Sequence, residues 1–447
     1  MTDRGAPKAA TDPMRPRPLS MSSSATATLP IPLFQYLALR KIPWNLAYIG
    51  FLCFVVDMIT YIVKNGAPFI AVAIFALFFG TRRTQWPFPV RLFLAFWVWA
   101  ALSTTLSPYS DDFELLIELG KLLLVFLVAV NVLWDRFALR LFLLIYLACF
   151  ALFPARGTLT NYFIHDNYTF GRPAWAGLFG NPNDLAALTI LSLAVAASFL
   201  HRETPRLLRY PALLLCMVFP FVILLTQSRG AFLGMCVFLL LSVLSIGRNR
   251  IRGILAITIL LAVVIVAAPP AVWERIAGLQ NASSIETIAE MDAEGSAAER
   301  WDILQTALRI IADHPIVGVG RGGGSVALGI YNPKIGPKSF HNTYLEVLAE
   351  TGVLGLTLFL GLLFSLLIHA KRARRKAHAL RYSADWRRLQ LLEFGLYGYL
   401  VCCTVGTYAY LSLLYVYLAI LFAQTVVLGS LSRKAYNPHE SLGAAVD

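Results

Sequence analysis

The sequence predicts an all-α polytopic membrane protein with about twelve transmembrane helices. Composition is the first reason: 58% of the 447 residues are hydrophobic, 14% are charged, and the mean hydropathy is +0.66, whereas soluble domains carry about 25% charged residues. The second reason is that apolar runs long enough to cross a bilayer recur along the chain. The predicted spans are residues 44–63, 66–80, 91–106, 114–134, 137–154, 178–200, 210–226, 230–246, 251–268, 343–369, 389–409 and 411–431.

These spans divide the chain into five parts. Residues 1–43 are predicted to be a disordered cytoplasmic tail, because their first part is rich in Pro, Ser, Thr and Ala. Residues 44–268 hold spans one to nine, 269–342 form a polar loop, 343–431 hold spans ten to twelve, and 432–447 form a second cytoplasmic tail. No cleavable signal is expected, since the first apolar run starts after residue 30 and has full span length.

The basic residues predict the orientation. With the N-terminus inside, 27 of the 38 Lys and Arg residues fall in inside segments, ten fall outside, and Lys121 lies within a span. This asymmetry is what the positive-inside rule requires, so both termini are predicted to be cytoplasmic. The net charge of +13 is then a topology signal and an attraction to anionic membrane lipids. We therefore expect no nucleic-acid partner.

The polar loop 269–342 is predicted to carry short amphipathic helices. Ser296 and Glu299 have capping-box spacing, and a weaker helix is expected at 284–291. Helices of this kind lie on the membrane surface or over a cavity mouth. The apolar stripe of the main helix consists of Trp301, Leu304, Leu308 and Ile311.

After Pro315, a glycine run from Gly318 to Gly324 is predicted to be a flexible connector. It formally contains a G-x-G-x-x-G pattern. A dinucleotide site requires that pattern to follow a strand, and here it follows a predicted helix and a proline. We interpret the run as a loop that permits close approach of chain or ligand, with Arg321 as an anion contact.

The candidate site lies where the polar loop meets span ten. His341 stands at this boundary, and an imidazole titrates near neutral pH and can accept a proton there. Arg172, Arg229, Arg300 and Arg321 are predicted to lie outside, so topology does not account for them. Guanidinium groups suit bidentate binding of phosphate oxygens. Snorkelling to the interface is the alternative for any single arginine, but Arg172 and Arg229 together with His341 indicate an anion site.

Five charged residues lie in or near spans: Asp57, Lys121, Asp184, Glu346 and Glu350. Such residues face a cavity or one another, because a charge in the bilayer is costly. Two alternatives remain open: Glu346 forms a capping box with Thr343 or supports the site, and Lys121 pairs with an acidic residue of its own helix or meets substrate.

No metal site is expected. We interpret the adjacent acids Asp111 and Asp112 as turn residues, and no His pair with zinc spacing occurs. All six cysteines fall inside predicted spans, where they are interpreted as packing residues.

Four motifs resemble, in order, those of the O-antigen ligase and polymerase superfamily. They are Phe179-Gly-Asn-Pro-Asn-Asp-Leu-Ala186, Thr226-Gln-Ser-Arg-Gly-Ala-Phe-Leu-Gly234, the stretch from Glu299-Arg-Trp301 to His-Pro-Ile-Val-Gly-Val-Gly320, and His341-Asn-x-Tyr-Leu-x-x-Leu-x-Glu-x-Gly-x-x-Gly-Leu356. The resemblance covers roughly residues 170–365, and the first third of the chain shows no matching motif.

The resemblance implies a GT-C-like glycosyltransferase of the bacterial inner membrane, with its active site facing the periplasm and with no metal or cofactor. The donor would be a glycan on undecaprenyl pyrophosphate, and the acceptor of a ligase would be a sugar hydroxyl of lipid A core. His341 corresponds to the family's essential histidine, and Arg229 and Arg300 to its loop arginines. Arg172 and Arg321 are further candidates for donor binding, with Glu346, Lys121 and Asn181 as possible supporting residues.

Other functions remain as alternatives. The same motifs serve polymerases, which use a second lipid-linked repeat as acceptor, and ligases that modify protein side chains. The Asn-Pro-Asn-Asp-Leu-Ala and Ser-Arg-Gly-Ala segments favour a ligase for lipid A core. A twelve-span transporter is disfavoured, because the long loop follows span nine and leaves no symmetry of six and six spans.

Overall fold

A computed structural model of the chain describes residues 32–80, 83–110, 113–246, 297–377, 380–381 and 383–436. Within these ranges the secondary structure is helical apart from one hairpin, which pairs β1 (Tyr168–Thr169) with β2 (Arg172–Pro173). The α-helices are α1 Leu33–Leu37, α2 Leu46–Thr60, α3 Ala67–Phe79, α4 Phe88–Leu106, α5 Phe113–Val132, α6 Arg136–Phe150, α7 Arg156–Thr160, α8 Pro182–Ala197, α9 Arg206–Leu225, α10 Arg229–Leu244, α11 Ala297–Asp313, α12 Gly323–Tyr331, α13 Thr343–Lys376, α14 Ala384–Cys402 and α15 Ser412–Tyr436.

Helices occupy eleven of the twelve predicted spans. The ninth span, 251–268, lies outside the described residues, and so does the predicted helix 284–291. The described end of the predicted disordered tail, residues 32–43, is folded instead, because Tyr36 of α1 is buried. This arrangement confirms an all-α membrane protein with several spans, while the number twelve and the GT-C-like class remain predictions. In the described ranges, six helices are long and apolar enough to cross a membrane: Phe88–Leu106, Phe113–Val132, Arg136–His165, Arg206–Leu225, Thr343–Lys376 and Ser412–Arg433.

The fifth predicted span, 137–154, ends too early. A π turn at Ala151–Ala155, α7 and a second π turn at Asn161–His165 continue α6 without interruption to His165. Pro154, where we expected the span to end, lies inside the first π turn. Proline lacks the backbone N–H and clashes with the preceding turn, and the wider π turn accommodates it.

The centre of the bundle is α15, which contacts α13, α5 and α14. Its residues from Leu413 to Leu421 are buried on all sides, as expected for a helix that is apolar around its whole circumference. Tyr415 stacks on Phe93 of α4 with ring centroids 4.5 Å apart. Beside it, α10 and α14 cross closely at two glycines, which leave room for the backbones to approach. A Cβ added to Gly234 would lie only 2.4 Å from the carbonyl oxygen of Gly398.

A break at Gly352 divides α13, which was predicted as one continuous span. Gly352 has φ 66° and ψ −174°, a conformation that is essentially restricted to glycine. The glycine connector runs along this break. The N–H groups of Val319 and Gly320 donate to the carbonyls of Ala349 and Glu350, at 2.9 and 2.8 Å. These contacts provide partners for carbonyl groups that the break releases from the helical ladder.

The helix α11 packs mainly through residues outside the predicted stripe, and of that stripe Ile311 joins the buried face. Trp301 and Leu308 are more than half exposed, whereas Ile303, Ala307 and Ile310 are buried against the glycine connector and α12. The helix α12 begins at Gly323, inside the run that was predicted to be entirely connector. The exposed stripe suits contact with a membrane surface.

Candidate functional site

Three segments meet at one end of the bundle and form what we call the His341 seam: residues 338–343, the loop 403–411 between α14 and α15, and the turn 226–229 between α9 and α10. Thr343 joins the first two, since its N–H donates to the carbonyls of Cys403 and Gly406, both at 2.9 Å, and its hydroxyl donates to Gly406 at 2.7 Å. The Asn342 amide adds a hydrogen bond to the carbonyl of Thr404, at 3.1 Å.

The same loop holds the turn that carries Arg229. The Sγ atom of Cys402 lies 3.4 Å from the carbonyl oxygen of Gly230, and a Cβ on Gly230 would lie 2.2 Å from Val405. Arg229 is the first residue of α10 and is exposed. One loop therefore contacts both the residue next to Arg229 and the segment that carries His341, which supports the expectation that these two belong to one site.

His341 has an unusual backbone conformation for a side chain with a Cβ. Its φ is +50°, and the next residue, Asn342, caps α13 by accepting the N–H groups of Tyr344 and Leu345. The left-handed residue therefore forms the sharp entry into the helix. Partial desolvation lowers the pKa of His341 from its usual 6.5, and the nearby charges of Arg300 and Lys338 lower this pKa further. The imidazole is accordingly neutral at pH 7 and able to accept a proton.

An ion pair between two residues that are 39 positions apart in the sequence brings Arg300 near His341. Lys338, three residues before His341, pairs with Glu299 in the first turn of α11. Arg300 follows Glu299 directly and is exposed. Lys338 was not predicted as a site residue, because a single lysine in a polar loop does not indicate which acidic residue it pairs with. We expected Glu299 only as half of a capping box with Ser296, which lies outside the described residues.

Arg172 is buried, whereas Arg229 and Arg300 are exposed. The β1–β2 hairpin turns it inward, where its Nη1 donates to Oδ1 of Asn183 at 3.1 Å and to the carbonyl of Thr226 at 3.4 Å. It therefore ties the start of α8 to the turn that carries Arg229. Asn181 caps α8 by accepting the N–H of Asn183 at 2.8 Å, which is a structural contact.

Arg321 is also buried, and its guanidinium pairs with a carboxylate of the protein. Its Nη1 donates to both oxygens of Glu350, at 3.1 and 3.0 Å, and the Gly322 N–H donates to the same carboxylate at 2.9 Å. The guanidinium stacks 3.5 Å from the centre of the Tyr410 ring, and the Tyr410 hydroxyl donates to Glu350 at 3.0 Å. The glycine connector is anchored to α13 and to the loop 403–411 by this cluster.

Polar residues at the end of α4 and just after it also hold the connector. Ser103 contacts the carbonyls of Val317 and Glu350, and Thr104 accepts the N–H of Arg321 at 3.0 Å. The hydroxyls of Ser107 and Ser110 donate to the carbonyls of Val319 and Arg321, respectively. The sequence analysis missed these residues. Their spacing of three to four residues near the end of an apolar helix was the signal that could have identified them.

The predicted supporting residues Glu346 and Lys121 have different surroundings. The capping box between Thr343 and Glu346 is wrong, because Asn342 is the cap of α13. Glu346 lies four residues before Glu350 on α13, and its Oε2 is buried without a hydrogen bond to any described residue. Lys121 pairs with Glu118 at 2.6 Å on an exposed face of α5, so the ion-pair alternative is confirmed there.

Some predicted features lie outside the described residues, among them the acidic pair Asp111 and Asp112. Within the described ranges, no three His, Cys, Asp or Glu side chains come together as a metal site would require.

Comparison with known proteins identifies one family. The family model described as O-antigen ligase matches residues 212–360, a range that contains the turn with Arg229, α11, the glycine connector and the start of α13. No curated protein matches the chain. The match supports the resemblance found in the motifs: residues 212–360 are similar to the O-antigen ligase family.

Proposed function

We propose that the protein is a glycosyltransferase that moves a glycan from undecaprenyl pyrophosphate to a sugar hydroxyl of lipid A core. The O-antigen ligase match supports an enzyme with a lipid-linked glycan and a lipid acceptor. The observation that carries the proposal is that one loop contacts both the residue next to Arg229 and the segment of His341, while the charges of Arg300 and Lys338 also act on His341. A base and anion-binding charges at one site are what transfer from a pyrophosphate requires.

In the proposed reaction, His341 accepts the proton of the acceptor hydroxyl. The hydroxyl oxygen then bonds to the anomeric carbon of the donor glycan, and the bond from that carbon to the pyrophosphate oxygen breaks. The electron pair leaves with the pyrophosphate, and the direct displacement inverts the anomeric centre. Charge develops on the leaving group, and preorganised cations at that point stabilise the transition state.

Arg229 and Arg300 are proposed to bind the pyrophosphate directly, because both are exposed. The buried Arg172 contributes positive charge from behind and holds the turn in place, whereas Arg321 is paired with Glu350 and holds the connector in place. The three guanidinium groups of Arg172, Arg229 and Arg300 offset the charge of a pyrophosphate, so transfer is proposed to need no metal or cofactor. Glu346 remains a supporting candidate, and the exposed pair of Lys121 with Glu118 argues for a structural role of Lys121.

The protein is proposed to reside in the bacterial inner membrane, with the His341 seam facing the periplasm and both termini in the cytoplasm. The positive-inside asymmetry supports this orientation. The main alternatives, a polymerase and a protein O-glycan ligase, would share the seam and differ only in the acceptor.

Reconstitution with defined acceptors tests the proposal. Purified protein in liposomes receives a glycan on undecaprenyl pyrophosphate, together with lipid A core, a second lipid-linked repeat or an acceptor protein. The expected result is glycan transfer to lipid A core, absent in His341→Ala at the same protein level. Transfer only to the repeat or to the protein would establish the corresponding alternative. Full activity of His341→Ala would overturn the assignment of the base.

A further inference from the structure

A groove lies at the opposite end of the bundle from the His341 seam, between the N-terminal segment and α6. It has a volume of about 790 Å³, within the range of small-molecule sites. Its lining is mainly apolar and contains no carboxylate among the described residues, with two basic side chains at its end. The lining residues are Leu33, Phe34, Gln35, Leu37, Ala38, Leu39, Arg40, Lys41 and Phe137.

The N-terminal wall of this groove is fixed to the bundle by Tyr36, which is buried. The guanidinium of Arg140 lies 4.4 Å from the centre of the Tyr36 ring and donates to the Tyr36 carbonyl at 3.3 Å. The Tyr36 hydroxyl accepts a hydrogen bond from Nη2 of Arg388 at 2.9 Å. Both arginines also pair with the buried Asp385. Tyr36 therefore joins the N-terminal wall of the groove to α6 and α14.

The outer rim of the groove has the composition of a membrane boundary. Phe34 is 75% exposed and Trp44 is 51% exposed, although both are large aromatic residues. The Trp44 indole donates to the carbonyl of Leu39 at 3.0 Å, and Nζ of Lys41 lies 5.7 Å from the centre of the Phe137 ring. Exposed aromatic residues beside Lys and Arg are typical of segments that lie at the lipid headgroups.

We propose that this groove binds one anionic phospholipid. The apolar lining would take an acyl chain, and Arg40 and Lys41 would bind the phosphate of the headgroup. Charge complementarity favours this occupant, since the described lining has two cations and no anion. The predicted orientation places this end at the cytoplasmic leaflet, which is anionic. The site is remote from the proposed transferase chemistry and does not depend on it.

Native mass spectrometry of the full-length protein in detergent tests the proposal. The protein is titrated with phosphatidylglycerol and, separately, with phosphatidylcholine of the same acyl chains. We expect one phosphatidylglycerol molecule to be retained in preference to phosphatidylcholine. The double variant Arg40→Gln/Lys41→Gln should bind phosphatidylglycerol roughly tenfold more weakly, because both headgroup charges are lost. Equal retention of the two lipids, or an unchanged affinity in the double variant, would overturn the proposal.

Two further variants separate the groove from general electrostatic attraction. Arg202→Gln/Arg206→Gln removes two exposed charges on the same predicted side, one from the loop between α8 and α9 and one from the first residue of α9, and should bind phosphatidylglycerol as the wild type does. Leu37→Trp fills the groove without changing any charge and should abolish retention. If Leu37→Trp instead changed the number of protein copies per particle and left lipid retention intact, the groove would be a protein interface and the proposal would be wrong.

Discussion

Glu350 accepts two hydrogen bonds from a single nitrogen of Arg321, at 3.1 and 3.0 Å, and this pair lies buried between α13 and the glycine connector. The carboxylate also accepts the Gly322 N–H and the Tyr410 hydroxyl. The charge of Arg321 is thus neutralised inside the protein. Arg229 and Arg300 differ from Arg321 in being exposed.

Removing one partner of this pair should strongly destabilise the fold. Glu350→Gln leaves a buried, uncompensated guanidinium, and breaking a buried ion pair from one side costs about 3–5 kcal/mol. Thermal unfolding of the detergent-solubilised protein measures the loss. The matched control is Asp302→Asn, the same change at an exposed position of α11, with an expected effect within about 0.5 kcal/mol. Equal stability of the two variants would contradict a structural role of the pair.

The break in α13 should tolerate no side chain. A Cβ on Gly352 would lie 1.9 Å from the carbonyl oxygen of Ile316, and the backbone conformation excludes alanine independently. Gly352→Ala should therefore destabilise the protein by about 3 kcal/mol or more, measured as the unfolding midpoint and as the yield of folded protein. Gly361→Ala lies in the same helix, where the nearest atom to a new Cβ is 4.0 Å away. This control should gain up to about 1 kcal/mol.

Lys338 should set the acid limb of the pH–rate profile. Its charge helps to lower the pKa of His341, so Lys338→Met should raise this pKa toward 6.5. If the neutral imidazole is the base, activity falls as the pH falls through the pKa of His341, and the limb moves to higher pH in the variant. The expected shift is about half a pH unit, since an exposed charge contributes up to about 1 kcal/mol.

The control for this prediction is Lys334→Met, which removes an exposed charge from the same segment. Its acid limb should coincide with that of the wild type, measured as kcat/KM between pH 5 and 8, the range in which His titrates. If Lys338→Met lowered the rate but left the acid limb of the pH–rate profile unshifted, Lys338 would only position the segment that carries His341, through its ion pair with Glu299, and would not tune the pKa of His341.

Arg229 should need its guanidinium as well as its charge. Arg229→Lys keeps the charge but loses the planar, bidentate donor, so it should lower kcat/KM by about tenfold or more if Arg229 binds the pyrophosphate. A residue that only snorkels to the interface would accept lysine. Arg309→Lys is the control, because Arg309 is exposed on α11, nine residues after Arg300. Normal kinetics in both variants would remove Arg229 from the donor site.

Transfer should persist in excess EDTA, because arginines are proposed to neutralise the pyrophosphate. The double variant Asp111→Asn/Asp112→Asn should likewise retain close to wild-type activity. If EDTA abolished transfer and Mg²⁺ or Mn²⁺ restored it, a bound ion, and not the arginines, would neutralise the pyrophosphate. Glycan transfer to lipid A core is the measurement, and the EDTA concentration is set well above that of the divalent ions.

The positions of the helices could be predicted from the sequence because apolar length is a local property. Every predicted span within the described residues contains a helix, and the motif around His341 correctly indicated the boundary of α13. Errors arose where neighbours decide the local structure. Pro154 was taken as the end of a span, yet a π turn accommodates it. Thr343 was considered as a cap, yet its hydroxyl bonds to Gly406 and Asn342 caps the helix instead.

The sequence by itself determined that the protein is an α-helical membrane protein with a segment similar to O-antigen ligases, and it indicated the types of residue at the candidate site. Only the tertiary structure decided which arginines are accessible. Arg172 and Arg229 were both predicted to bind an anion, yet Arg172 in the hairpin is buried, and Arg229 at the start of α10 is exposed. Likewise, Glu350 and Lys338 acquire their partners from segments 29 and 39 residues away. Hydrophobicity acts residue by residue along the chain, whereas burial and pairing of charge depend on which distant segments the packing brings together.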